Sequence, residues 1–172
     1  MPKKNLQLVQ QHNEQNARAP SNSLKMRLED MITIEAKTEA QGQFMSEYRY
    51  KPAFLLHGCA GTGKTFIALY RALEEVLDKG NGYGKVVVVR SAVPSRDIGH
   101  LPGTEAEKTE IFSLPYQSMC EEFFPSKDKP YQRLIEQKHL EFMSTSYVRG
   151  ITLDHAIVIV DECQNLTDME IN

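Results

Sequence analysis

The stretch "AFLLHGCAGTGKTFIALYRAL", residues 53–73, changes character twice. Residues 53–57 form a short continuous apolar run, the kind that suits a strand buried on both faces. Glycines at 58, 61 and 63 break the run. From Lys64 onward the apolar residues Ile67, Leu69, Leu73, Val76 and Leu77 return at helical spacing, and the helix is expected to stop at Gly80. Strand, glycine loop and helix in that order would aim backbone N–H groups and the positive helix end at a single point. That is the geometry of an anion site.

Gly58, Gly63, Lys64 and Thr65 satisfy G-x-x-x-x-G-K-[ST], the pattern of a phosphate-binding P-loop. A chance match in a chain of this length is on the order of one in two hundred, and this match falls between an apolar run and a helix, where the physics requires it. Gly58, Cys59, Ala60, Gly61, Thr62, Gly63, Lys64 and Thr65 are therefore the candidate cradle for a nucleoside triphosphate. Lys64 would neutralise the β and γ phosphates, and the Thr65 hydroxyl would ligate Mg²⁺.

A second element completes the expectation. "AIVIVDE", residues 156–162, is an apolar run that delivers two acids at its end. In a parallel sheet this places Asp161 at the phosphate edge, where it can hold the Mg²⁺ shell through water. Glu162, one residue on, is then free to polarise the water that attacks the γ phosphate. On its own an acidic pair after apolar residues is an ordinary strand end. Together with the glycine loop it points to a nucleoside triphosphatase.

Working outward, "KVVVVR" (residues 85–90) follows the turn signal "NGYG" and reads as a second strand with no polar alternation, so a covered parallel sheet is expected. Residues 91–130 carry prolines at 94, 102, 115, 125 and 130, with short helices expected around 105–112 and 116–124. "YQRLIEQKHLEFMS" reads as a helix running into a strand near residues 140–143. Before the loop, Phe44, Met45 and Tyr48 share one side of a short helix. The Gln- and Asn-rich opening, with residues up to 36, reads as a polar and largely mobile tail, leaving 37–172 as the ordered domain.

Composition narrows the function classes. A chain of 172 residues can bury about two thirds of its unfolded surface without a disulfide or metal staple. With 20 basic and 23 acidic residues the formal charge is -3, so any nucleic-acid site must be a local patch. Cys59, Cys120 and Cys163 are odd in number and never form CxxC, which argues against a disulfide framework or a zinc site and for a reducing cytosol. Cys59 and Cys163 read as small packing residues near the site rather than nucleophiles. No apolar run approaches the roughly 18 residues of a membrane helix, and no signal peptide is visible, so a cytoplasmic protein is expected.

Four blocks, "TEAQ", "LHGCAGTGKTFIAL", "VVVVRSAVPSRDIGHLPGTEAEK" and "YVRGITLDHAIVIVDECQN", resemble the PhoH-like family, P-loop ATPases related to the first core of superfamily 1 helicases. The resemblance covers about residues 38–165. It implies an α/β, RecA-like P-loop core with a parallel sheet covered by helices, ATP and Mg²⁺ as cofactors, and ATP hydrolysis coupled to RNA or single-stranded nucleic acid. It also implies a homo-oligomeric ring. By the same similarity Gln41 would read the adenine edge, and Gln164 would sense the γ phosphate. Arg90 and Arg149, which fall in the resembling blocks, would contact nucleic acid. Ser91, Arg96 and Lys108 could extend that basic track, with Tyr116 or Tyr147 as stacking rings. Helicase-like cores have further strands after the "DE" strand, bearing a sensor motif and an arginine for the γ phosphate. The sheet is therefore expected to be incomplete on its C-terminal side, with about four strand runs present. A nucleotide-binding module that holds ATP without turnover is the alternative, and a small-molecule P-loop kinase a weaker third.

Overall fold

Four consecutive valines set the centre of the sheet. Val86, Val87, Val88 and Val89 occupy strand β1 (Lys85–Arg90) and are all buried, although their side chains alternate between the two faces. A β-branched run without polar alternation is stable only where both faces are covered, which is the environment of a parallel strand. The structure, a computed structural model, describes residues 24–90, 105–148 and 150–167, leaving aside the side chains of residues 105–111 and 146.

Among the described residues three strands form one sheet in the order β2–β1–β3, with β2 at Leu140–Ser144 and β3 at Ala156–Asp161. Both pairings are parallel, and the register aligns Arg90 with Ser144 on one side and with Asp161 on the other. The carboxyl ends of all three strands therefore lie along one edge. The fold is α/β, with helices α1 (Glu39–Glu47), α2 (Lys64–Leu77), α3 (Glu105–Phe123), α4 (Pro130–Glu136) and the short α5 (Thr145–Val148).

The core joins α2, α3 and α4 to the Val86 and Val88 face of β1. Leu69, Leu73, Tyr116, Cys120, Phe123, Phe124, Leu134 and Leu140 are all fully or almost fully buried in it. Phe123 sits edge-on to Phe66 and Tyr70 at 4.9 and 5.6 Å between ring centroids, locking α3 to α2. α3 is one helix, where the prolines suggested two. Pro115 lies inside it on an exposed position. Its missing N–H removes one bond to the preceding turn, yet the buried Ser113, Tyr116 and Cys120 on either side keep the two halves on one axis.

Two other expectations change. Residues 24–34, which composition assigns to the tail, pack on the core: Met26 is buried, Ile32 donates its N–H to the Phe123 carbonyl at 2.9 Å, and Lys127 meets Asp30 at 3.0 Å. Residues 1–23 lie outside the described region. Residues 53–57 are not a strand. Their side chains are half-buried or exposed, and Leu55 is 78% exposed. A strand requires a neighbour's N–H and C=O groups. β3 is paired with β1 alone, and no described segment bridges its other edge to residues 53–57. Among the described residues three strands are thus observed where about four were expected.

Candidate functional site

The glycine loop is shaped by its own backbone. Gly61 and Gly63 adopt φ of 75° and 77°, and Gly63 is the left-handed residue that turns the chain into α2. Only glycine takes this conformation freely. At Gly63 space adds a second reason, since a Cβ would lie 3.3 Å from the Gln41 side-chain amide. Lys64, the first residue of α2, folds back over the loop and donates from Nζ to the carbonyls of Gly58 and Cys59 at 3.0 and 2.7 Å. Thr62 donates its hydroxyl to the Cys59 carbonyl at 2.9 Å, closing the turn.

α1 braces this loop from outside. Thr38 caps the helix by accepting from the Gln41 N–H at 3.3 Å. The Gln41 side chain then spans two segments: its Nε2 donates to the Thr62 carbonyl at 3.0 Å, and its Oε1 accepts from the Lys37 N–H at 2.8 Å. Phe44 anchors the same helix edge-on to Phe54, with 5.0 Å between centroids, so the apolar run leading into the loop is held by aromatic contact rather than by a ladder.

Asp161, the last residue of β3, meets the loop. Thr65 Oγ1 donates to Asp161 Oδ1 at 2.8 Å across 96 positions of sequence. The other carboxylate oxygen, Oδ2, accepts from the hydroxyl of Tyr116 on α3. Burial pushes the Tyr116 phenol well above its ordinary value, and the Asp161 hydrogen bond and charge act in the same direction. Glu162 follows at φ 53°, a left-handed turn that ends the strand and leaves the side chain exposed beside Gln164, whose amide donates to the Glu162 carboxylate.

A cleft of about 1030 Å³ runs between residues 51–58, the glycine loop and the free edge of β3. Gly58, Ala60, Gly61, Gly63, Lys64, Thr65, Asp161, Glu162 and Gln164 all line it. Gln41 stands behind the loop rather than in the lining. Arg90 shares the strand edge but turns toward α3, with its guanidinium 5.4 Å from the Phe112 ring centroid. Ser91, Arg96 and Arg149 lie outside the described residues, as does the side chain of Lys108. Tyr147 is exposed, whereas Tyr116 is buried and cannot serve as a stacking ring. Cys59 and Cys163 are exposed rather than packed; the buried thiol is Cys120, pushed up to about 12 by its burial. The residue missed by sequence reasoning is Tyr116 as a partner of Asp161. The two are 45 positions apart, and no local pattern joins them.

The donor set fits a magnesium-bound nucleotide. The loop leaves open space above Gly58 and Gly61, where an added Cβ would meet nothing within 4 Å. A hydroxyl and a carboxylate converge at its end. Among the described residues no group of three or more His, Cys, Asp or Glu could hold a metal by itself. Magnesium needs no such cage, because it is ordinarily held by one or two protein oxygens together with the phosphates.

A parallel sheet with a glycine loop opening a helix at its carboxyl edge, and an acid from a neighbouring strand touching that helix, defines a P-loop α/β protein. The family model described as PhoH-like protein matches residues 33–172. The chain therefore belongs to the PhoH-like family. A PhoH-like protein of Synechocystis sp. is 34% identical over 139 residues, covering 80% of this chain and 41% of its own length. Protein PhoH of Escherichia coli is 31% identical over 139 residues, covering 80% of this chain and 39% of its own length. Protein PhoH2 of Bacillus subtilis is 38% identical over 124 residues, covering 70% of this chain and 28% of its own length. The chain thus spans about two fifths, or less, of these relatives. Among the described residues no helix is long and apolar enough to cross a membrane.

Proposed function

We propose that this protein binds ATP with Mg²⁺ and works as an ATPase whose hydrolysis is coupled to RNA or single-stranded nucleic acid. The observation that carries the ATP reading is the 2.8 Å contact between Thr65 and Asp161, which brings the loop and the acidic strand end to one point. Bound there, the metal would neutralise phosphate charge as it develops during transfer. Thr65 and Asp161 would hold it, Asp161 through water. Lys64 would exchange its loop carbonyls for phosphate oxygens. Gln41, with its donor and acceptor already on Thr62 and Lys37, would retain a second hydrogen and lone pair for the adenine edge. Glu162 would orient the attacking water, and Gln164, bonded to it, would report the γ phosphate.

Lys64→Ala tests the site itself, since a methyl group cannot neutralise the phosphates. Labelled ATP binding the variant as tightly as the parent would remove the assignment. Glu162→Gln should keep ATP and Mg²⁺ affinity while slowing phosphate release by about a hundredfold or more; equal turnover would take Glu162 out of its role. The nucleic-acid coupling rests on the family blocks and on Arg90 at the shared strand edge. Phosphate release with and without single-stranded RNA decides it, and Arg90→Ala or Arg149→Ala should lower the salt slope of RNA binding by about one unit for each lost phosphate contact.

A non-hydrolysing ATP-binding role is the second reading, favoured by the engagement of the Glu162 carboxylate with the Gln164 amide. ATP binding with no release under any nucleic-acid condition would select it. A ring of identical subunits, which the family resemblance suggests, is tested by the solution mass with and without ATP.

A further inference from the structure

Tyr116 is a buried phenol in the middle of α3, with its ring packed against Phe142 of β2 at 5.4 Å between centroids. Packing alone would be served as well by phenylalanine. A hydroxyl taken out of water needs a partner, and the partner here is Asp161, whose second oxygen is held by Thr65. An ionised carboxylate can only accept, so the single phenol proton is directed at Asp161.

We propose that Tyr116 is a positioning residue for the nucleotide site: its hydroxyl fixes one oxygen of Asp161 so that the other faces Thr65. An aspartate at a strand end has a broad, roughly two-fold terminal torsion. Without a second anchor the carboxylate is free to rotate away from the loop. The Tyr116 hydroxyl supplies that anchor from α3, a helix separate from the glycine loop and α2. The bland alternative is a hydroxyl that is merely satisfied on burial, with no bearing on the site.

This inference rests on the nucleotide reading, and the experiment separates the two. Tyr116→Phe keeps the ring and removes the O–H. Affinity for a fluorescent ATP analogue is measured on the purified protein in EDTA and over a Mg²⁺ series, alongside thermal melting. The expected result is an unchanged affinity in EDTA, a cooperative melt, and a rise of about tenfold in the Mg²⁺ concentration needed for half-maximal tight binding, the size typical of losing a partner that orients a metal ligand. In an Asp161→Asn background the same change should have no further effect on the Mg²⁺ midpoint, because the two groups act through one contact. An unchanged midpoint, an equal loss in EDTA, additive effects in the double variant, or a melt that is no longer cooperative would each overturn the proposal. A parent protein that fails to bind the analogue overturns the nucleotide reading and this inference together, whereas a binding parent with an unshifted variant overturns the inference alone.

Discussion

Residues 86–89 and residues 53–56 are both unbroken apolar runs, and only the first is a strand. Each of the four valines of β1 is at most 5% exposed, with a parallel neighbour on both sides. Leu55, in the second run, is 78% exposed, and no ladder joins its neighbours to another described segment. β3 falls between the two. Among the described residues it pairs with β1 alone, and Val158 and Val160 are 43% and 45% exposed. An apolar run is thus permission to form a buried strand, and the strand forms where neighbours complete its hydrogen bonds. The glycine loop keeps its shape regardless, because the contacts from Gln41 and Lys64 to its carbonyls do not pass through the sheet.

Amide hydrogen exchange offers the widest contrast. Amides of Val87 and Val88 should exchange only through global opening, with protection of several kcal/mol, while those of Leu55 and Leu56 exchange near the unprotected rate. Equal protection in the two runs would break the comparison.

Truncating a β1 valine should give the next largest effect. Val86→Ala empties a fully buried position and should destabilise by about 2 kcal/mol in denaturant titration. A loss below about 0.5 kcal/mol would mean that the core around β1 can collapse to fill the gap.

Alkaline pH sharpens the same contrast through one buried and one half-buried ionisable group. Cys120 is pushed from 9.0 to about 12, and Tyr48 from 10.0 to about 12, in each case chiefly by burial. For an acid whose folded value is raised, the unfolded chain releases its proton first. This stabilising contribution is full below about pH 9 and is lost as pH rises toward 12, at up to about 1.4 kcal/mol per pH unit for each group. Chemical denaturation at pH 7, 9 and 10.5 checks the sign. Stability that held constant across that range would show that the thiol is open to solvent in the folded state.

Leu55→Ala should change least, within about 0.5 kcal/mol, since the side chain has little burial to lose. A loss approaching that of Val86→Ala would place residues 53–57 under cover in solution.

Local periodicity and local chemistry were enough to read α2, β1 and β3, the glycine loop, and the two acids that end β3. Each depends on residues within a few positions of one another. Pattern alone misjudged features that only the packed chain decides. The tail boundary at residue 36 followed polar composition, yet Met26 finds a place in the core and Asp30 a cation on Lys127. Pro115 promised a break that the buried side of α3 overrides. The usual burial of thiols predicts packed positions for Cys59 and Cys163, yet both stand exposed beside the cleft.

By itself the sequence determined the class of this protein, since G-x-x-x-x-G-K-T after an apolar run and D-E at the end of another specify backbone geometry and charge locally. Tertiary structure alone decided which apolar run joins the sheet, that Gln41 braces the loop, and that Tyr116 holds Asp161. The physical reason is the same in all three. A hydrogen bond between groups 21 or 45 positions apart leaves no periodic trace in the chain, and it exists only once the elements carrying those groups have packed.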